Sequence, residues 1–182
     1  SGHSPLDNPL VRQAIAHAVN KTELLADHYG QGYEPANQFL PPSIWGYNPA
    51  IPEYTYDPVL ATSLLAQAGY TDGFTTTLAY RDVFRWYLPD PAAAAQAIRA
   101  DLLAVGIDAT ILEYASGEFI TKYLNGELDL FLLGWGADYL HPDNFLTANF
   151  CDAGNLGFGP QDAVLCALLN DARSEPDFED QL

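Results

Sequence analysis

The stretch LDLFLLGWGADYLHPDNF, residues 128–145, decides how the rest of the chain is read. It opens as an apolar run over 128–133, broken only by Asp129. A short run of that kind fits a strand covered on both faces, as in a parallel sheet. The run stops at Gly134-Trp135-Gly136, and Asp138, Tyr139 and the helix-start pair Pro142-Asp143 follow. In open α/β sheets ligands gather outside the carboxyl ends of the strands. Trp135 and Asp138 are therefore placed to hold something. Asp138 can pair with a cation, and Trp135 offers a flat apolar wall with one donor. The plainer reading is that Trp135 is core and Asp138 caps a turn, and the strand alone leaves both open.

Outward from that stretch the alternation continues. Residues 75–80 alternate with β-prone types, Asp90-Pro91 opens a helix with Ala94, Ile98, Leu102 and Val105 at helical spacing, and Gly106 stops it. Residues 107–114 form a second strand, and Ser116 caps a helix through Phe119, Ile120, Tyr123 and Leu124 up to Gly126. Residues 74–134 thus read β-α-β-α-β, which implies parallel strands with right-handed crossovers and an α/β fold.

The flanks add helices. Asn8-Pro9 is a cap with proline at the first helical position, followed by the apolar stripe Val11, Ile15, Ala18 and Val19. Asn20 with Glu23 resembles a capping box for a short helix ending near Gly30. Asp57-Pro58 starts another, with Leu60, Leu64, Leu65 and Ala68 turned inward and Gly69 as its stop. Between them, residues 31–56 hold five prolines and the aromatics Tyr33, Phe39, Trp45, Tyr47, Tyr54 and Tyr56, a long irregular loop. After Asn155 a Gly-rich turn leads to a helix over 160–172, and the polar sequence up to Leu182 shows no closing element.

Size and charge bound the function. The chain has 182 residues, 48% apolar, enough for one folded domain over 1–182. Seven Lys and Arg against 24 Asp and Glu give a formal net charge of −17, which argues against nucleic acid or an anionic membrane as partner. No apolar run approaches the ~18 residues of a membrane span. The chain starts without Met at Ser1-Gly2-His3-Ser4, so an export signal is expected outside these residues.

Chemistry-bearing motifs are few. The glycines at 154, 157 and 159 match neither phosphate fingerprint, and neither a Gly-x-Ser-x-Gly elbow nor a His-Glu-x-x-His helix occurs. Asp129, Asp138, Asp143 and Asp152 are close in sequence, but Asp143 is more simply a helix-start residue and Asp129 a strand-start one. No catalytic residue, metal site or cofactor is expected. His3, His17, His28 and His141 are scattered. Cys151 and Cys166, 15 positions apart, either form one disulfide in an exported protein or are two buried thiols. If exported, they are expected to pair.

Several segments resemble the peptide-type, family 5 solute-binding proteins of ABC transporters. They are VRQAIAHAVNK at 11–21, YDP at 56–58, LLAQAGYTDGF at 64–74, LLAVGI at 102–107, GWGADY at 134–139 with PDNF at 142–145, and ALLNDAR at 167–173. They keep the family's order across nearly the whole chain. The resemblance implies a periplasmic-binding-protein-like lobe, the C-terminal half of a larger two-lobed protein whose N-terminal lobe is missing. It implies a peptide or similar small solute as ligand, ABC permease subunits as membrane partners, and a periplasmic or extracellular location, with a lipoprotein anchor as one form. In peptide-binding relatives the position of Asp138 takes the ligand's α-ammonium, and the Trp of that motif is Trp135; Tyr139 is a further aromatic expected on the cleft face. Leu140-His141 stand where many relatives have Pro-Asp. Two other classes remain compatible with these residues: a small metal-dependent α/β hydrolase using the Asp138 region, which the lack of a nucleophile motif counts against, and a non-transport sensor or chaperone lobe.

Overall fold

Among the described residues four α-helices begin on proline, each behind a side chain that caps it. A computed structural model of the chain describes residues 4–174; the polar stretch from 175 to Leu182 and His3 lie outside the described residues. Asn8 Oδ1 accepts from Leu10 N–H ahead of α1 (Pro9–Ala18), Asp57 Oδ1 from Leu60 N–H ahead of α3 (Pro58–Gln67), and Asp90 Oδ1 from Ala93 N–H ahead of α4 (Pro91–Ala104), each at 2.9 Å. The short α2 (Lys21–His28) has half of the capping box: Asn20 Oδ1 accepts from Glu23 N–H, while Glu23 Oε2 accepts from Asn20 Nδ2 and the Asn20 backbone N–H donates to Asp101 Oδ2. Proline at the first position lacks only an N–H that would have no helical partner, so cap and proline fix the helix start together.

The chain divides into two compact units. The first comprises the described residues up to 35, with 53–119 and 128–134. It holds a three-stranded sheet of order β2-β1-β3, made by β1 (Phe74–Arg81), β2 (Ile107–Tyr114) and β3 (Leu130–Phe131). β1 runs parallel to β2 from Phe74↔Ile107 to Arg81↔Tyr114, and parallel to β3 at Leu78↔Leu130 and Ala79↔Phe131. The parallel β-α-β-α-β order expected from the sequence is the order found. Gly73, at φ +74°, makes the entry to β1: a Cβ there would lie 1.8 Å from Gly106 O, so only glycine lets the two strand starts approach.

β3 is two residues long, where the apolar run suggested six. Its ladder extends by one bond, Leu132 N–H to Ala79 O at 2.9 Å. On the near side Asp129 replaces ladder bonds with its carboxylate, whose Oδ2 accepts from Thr76 Oγ1, Thr77 N–H and Thr77 Oγ1. On the far side the Tyr87 ring occupies the space beside Gly134 where a Cβ would stand. Residues 130–133 are accordingly half-buried.

The core of this unit is made of close-packed small and branched residues. Ala14 and Ala18 of α1, Ala61 and Leu65 of α3, and Ala95 and Leu102 of α4 are buried with Leu78 and Ile107 of the sheet. Full burial of one Leu or Ile side chain contributes about 1.5–3 kcal/mol. Leu60, read as inward, is exposed, and Ala61 takes the buried place. Alanine there lets α1 and α3 approach closely, and the larger Leu65 a turn later fills the core. Tyr80 is buried and donates to Glu113 Oε2 at 2.8 Å. Burial first, then the neighbouring carboxylate, pushes its phenol up to about 12.

The second unit comprises 36–52, 120–127 and the described residues from 135. It contains α6 (Pro142–Phe150) and α7 (Ala163–Ser174), while α5 (Ser116–Leu124) begins in the first unit and ends in this one. Leu40, Ile44 and Phe145 are its buried apolar cluster, and Phe39 meets the rings of Phe150 and Phe158 at 4.9 and 5.8 Å. Asn155 ties the unit together: its Nδ2 donates to Ala148 O and Tyr123 OH, and its Oδ1 accepts from Gly157 N–H. The Tyr123 hydroxyl donates in turn to Asn149 Oδ1 at 3.3 Å. α7 begins at Ala163, not at Pro160, because Asp162 Oδ1 caps it through Val164 and Leu165 N–H. Cys151, the C-cap of α6, is disulfide-bonded to Cys166 on α7, with S–S 2.07 Å.

Candidate functional site

The loop 135–141 and the start of α6 form a local structure inside the second unit. His141 caps α6, its Nδ1 accepting from Asp143 N–H at 3.2 Å, a role that Asp57 and Asp90 fill in α3 and α4. Its ring stands edge-on to Trp45, with centroids 4.9 Å apart. This places Asn144 in the first turn of α6, where its side chain is 5% exposed. Asn144 Oδ1 accepts two hydrogen bonds, from Trp135 Nε1 at 3.1 Å and from Asp138 N–H at 3.0 Å. Asn144 Nδ2 lies 3.5 Å from Asp138 Oδ2.

Trp135 is 40% exposed and Tyr139 52% exposed, and the Asp138 side chain is also at the surface. Trp135 thus shows solvent a ring while its one donor is turned onto a buried amide. Tyr139 donates to Asp143 Oδ2 at 2.8 Å, and Arg173 Nε, from α7, lies 3.4 Å from Asp143 Oδ1. The bond to Asp143 raises the Tyr139 phenol above its ordinary value. Partial burial pushes the Asp143 carboxyl up, but the Thr147 and Tyr139 hydroxyls and the Arg173 charge outweigh it, and the net shift is down.

The structure brings Trp135, Asp138 and Tyr139 into one loop and links all three to α6. Two participants are absent from the sequence reading: Asn144, which had no role, and Arg173, which appeared only inside a matching segment. The sequence carries no clear signal for the first, because PDNF puts an amide in the first turn of a helix without showing that it is buried, and only burial obliges it to find partners. The four neighbouring acids separate by role. Asp129 serves the sheet of the first unit, Asp143 bonds Tyr139 and Arg173, and Asp152 accepts Gln161 Nε2 at its backbone carbonyl. Among the described residues no group of three or more His, Cys, Asp or Glu is arranged to hold a metal ion. No described helix is long and apolar enough to cross a membrane.

Each unit also has a shallow cavity. In the second, about 170 Å³ is enclosed by Leu40, Trp45, His141, Pro142, Asp143 and Arg173, among others. In the first, about 230 Å³ lies among Leu24, Tyr29, Tyr87, Ile98 and Leu133.

The fold is that of a periplasmic binding protein. A dipeptide-binding protein from Pseudoalteromonas sp. SM9913, solved in complex with Met-Leu, superposes with a TM-score of 0.93 at 32% identity, covering 98% of this chain and 36% of that one. The family model described as bacterial extracellular solute-binding proteins, family 5 Middle, matches residues 1–157. The chain belongs to this family of bacterial extracellular solute-binding proteins. The dipeptide-binding protein of Escherichia coli K12 is 39% identical over 154 residues, which is 84% of this chain and 29% of that protein. The heme-binding protein A of Haemophilus influenzae is 36% identical over 173 residues, 93% of this chain and 31% of the relative. The chain therefore spans about three-tenths of the length of the curated relatives it matches.

Proposed function

We propose that residues 1–182 act as one ligand-binding lobe, the C-terminal half, of a two-lobed ABC-transporter substrate-binding protein that captures peptides or similar small solutes for import. Its partners are an N-terminal lobe and ABC permease subunits, its location is periplasmic or extracellular, and it catalyses no reaction. Asp138 receives the ligand's ammonium, and Trp135 and Tyr139 flank it. The observation that carries this reading is the loop itself: an exposed indole, an exposed phenol and an exposed carboxylate, all linked to one helix start. Held aromatics with one placed carboxylate suit the ammonium end of a small zwitterionic ligand. The names of the relatives support a peptide-sized solute, and the Met-Leu complex of the Pseudoalteromonas protein supports a dipeptide as first probe.

Lobe closure around the ligand expels water, so a charge-assisted bond to Asp138 strengthens as the local dielectric falls. Asp138→Asn keeps shape and removes charge, and truncating one partner of a buried charge pair costs about 2–5 kcal/mol. Calorimetric titration of the full-length protein with Met-Leu is expected to show a loss of that order in Asp138→Asn, with folding intact. Unchanged affinity would place the ammonium elsewhere.

A further inference from the structure

We infer that Asn144 is the positioning residue of this loop, its one buried carboxamide setting the Trp135 indole and the Asp138 carboxylate at a fixed spacing. The inference rests on the reading of those two residues as ligand contacts. Oδ1 accepts from Trp135 Nε1 and from Asp138 N–H, so a single oxygen fixes the side chain of one residue and the backbone of the other. Nδ2 faces Asp138 Oδ2 at 3.5 Å, which orients the carboxylate.

An amide is the group that meets all three demands. A carboxylate accepts both N–H groups but has no donor for Asp138 and adds a like charge beside it. An apolar side chain leaves two donors without partners. Asn144 is itself fixed, buried in the first turn of α6 behind the His141 cap. Groups held in their bound geometry before the ligand arrives lose less entropy when it does. Asn144 touches no ligand in this scheme and acts through the two residues it holds.

The test is nuclear magnetic resonance on the 182-residue chain, following hydrogen exchange of the Trp135 indole N–H and the Asp138 amide. Asn144→Ala is expected to speed both by about tenfold, the equivalent of one neutral hydrogen bond. Asn144→Asp, which keeps the accepting oxygen, is expected to restore both protections. Amides of β1 report the fold and are expected to stay as in wild type. Wild-type protection of both groups in Asn144→Ala overturns the inference, as does a loss that spreads equally to β1. If Asn144→Ala does not fold, Asn144→Asp decides alone: loss of protection at both groups while β1 keeps its own overturns the inference. Adding Met-Leu to the full-length, two-lobed protein tests the ligand reading separately. If neither the Trp135 nor the Asp138 resonance shifts, that reading fails while the exchange data still decide the role of Asn144.

Discussion

The two units are held together by different chemistry. In the first, the buried residues are mostly Ala, Leu, Ile and Val, joined by Tyr80 and Phe119, around a parallel ladder. In the second, Asn144, Asn149 and Asn155 are buried, and these are the buried polar side chains among the described residues. Apolar packing is non-directional and tolerates many arrangements of similar volume. A buried amide is directional and is satisfied by few geometries. The difference teaches where a family can keep a scaffold and where it can shape a surface: the unit with the ladder specifies a fold, and the unit with the amides specifies loops.

The largest effect that would break this comparison is in the ladder unit. Leu102, fully buried in α4, is expected to lose about 3 kcal/mol on Leu102→Ala, because the site loses transfer energy and gains a cavity. Urea unfolding followed at Trp86, in a variant with Trp45 and Trp135 changed to Phe, reads the first unit by itself. A cost under about 1 kcal/mol would mean the helices collapse around the gap, and the core is less closely packed than its burial indicates.

The second unit depends on a covalent tie. α7 has no buried residue, so few apolar contacts hold it, and the bond from Cys151 to Cys166 closes a loop of 15 residues. In the chain-entropy model such a loop is worth about 3 kcal/mol at most, and strain or residual structure lowers the yield. The double change Cys151→Ser, Cys166→Ser is expected to cost about 2 kcal/mol and to remove amide protection from α7 while β1 and β2 keep theirs. Equal loss in both sets of amides would show that the two units unfold as one and would erase the contrast drawn here.

The contrast also explains what the sequence disclosed. Helix starts were legible because Asn-Pro and Asp-Pro carry their own mechanism, and all of α1, α3 and α4 begin where those pairs fall. The strands β1 and β2 were legible from period-two patterning. β3 was overread, because an apolar run cannot show that Asp129 and Tyr87 end the ladder at either side. α7 was started early, because Pro160 looks like a first helical residue and only the Asp162 cap decides otherwise. Trp135, Asp138 and Tyr139 stood out by their place just past an apolar run and by the family resemblance of GWGADY. Asn144 did not, since its meaning lies in two bonds to residues six and nine positions away, which no periodicity encodes.

The smallest expected effect is a dependence on acid that belongs to the second unit. Asp143 accepts from Tyr139 and pairs with Arg173, and its carboxyl titrates below the ordinary value of 3.8 in the folded protein. The unfolded chain therefore takes up its proton first as pH falls. The stabilisation is fully present above about pH 4 and is lost as pH drops through the folded value. Arg173 is half exposed, so solvent screens the pair and the contribution stays below about 1 kcal/mol. Urea midpoints at pH 5 and pH 3, read from Trp45 and Trp135 in a Trp86→Phe background, are expected to show a decrease that Asp143→Asn reduces. The same comparison read from Trp86 alone is expected to be indifferent to Asp143→Asn. An acid response of the second unit that Asp143→Asn leaves at full size would mean the Tyr139–Asp143–Arg173 chain contributes nothing to holding the loop. The buried amide of Asn144 would then be the loop's remaining link to α6.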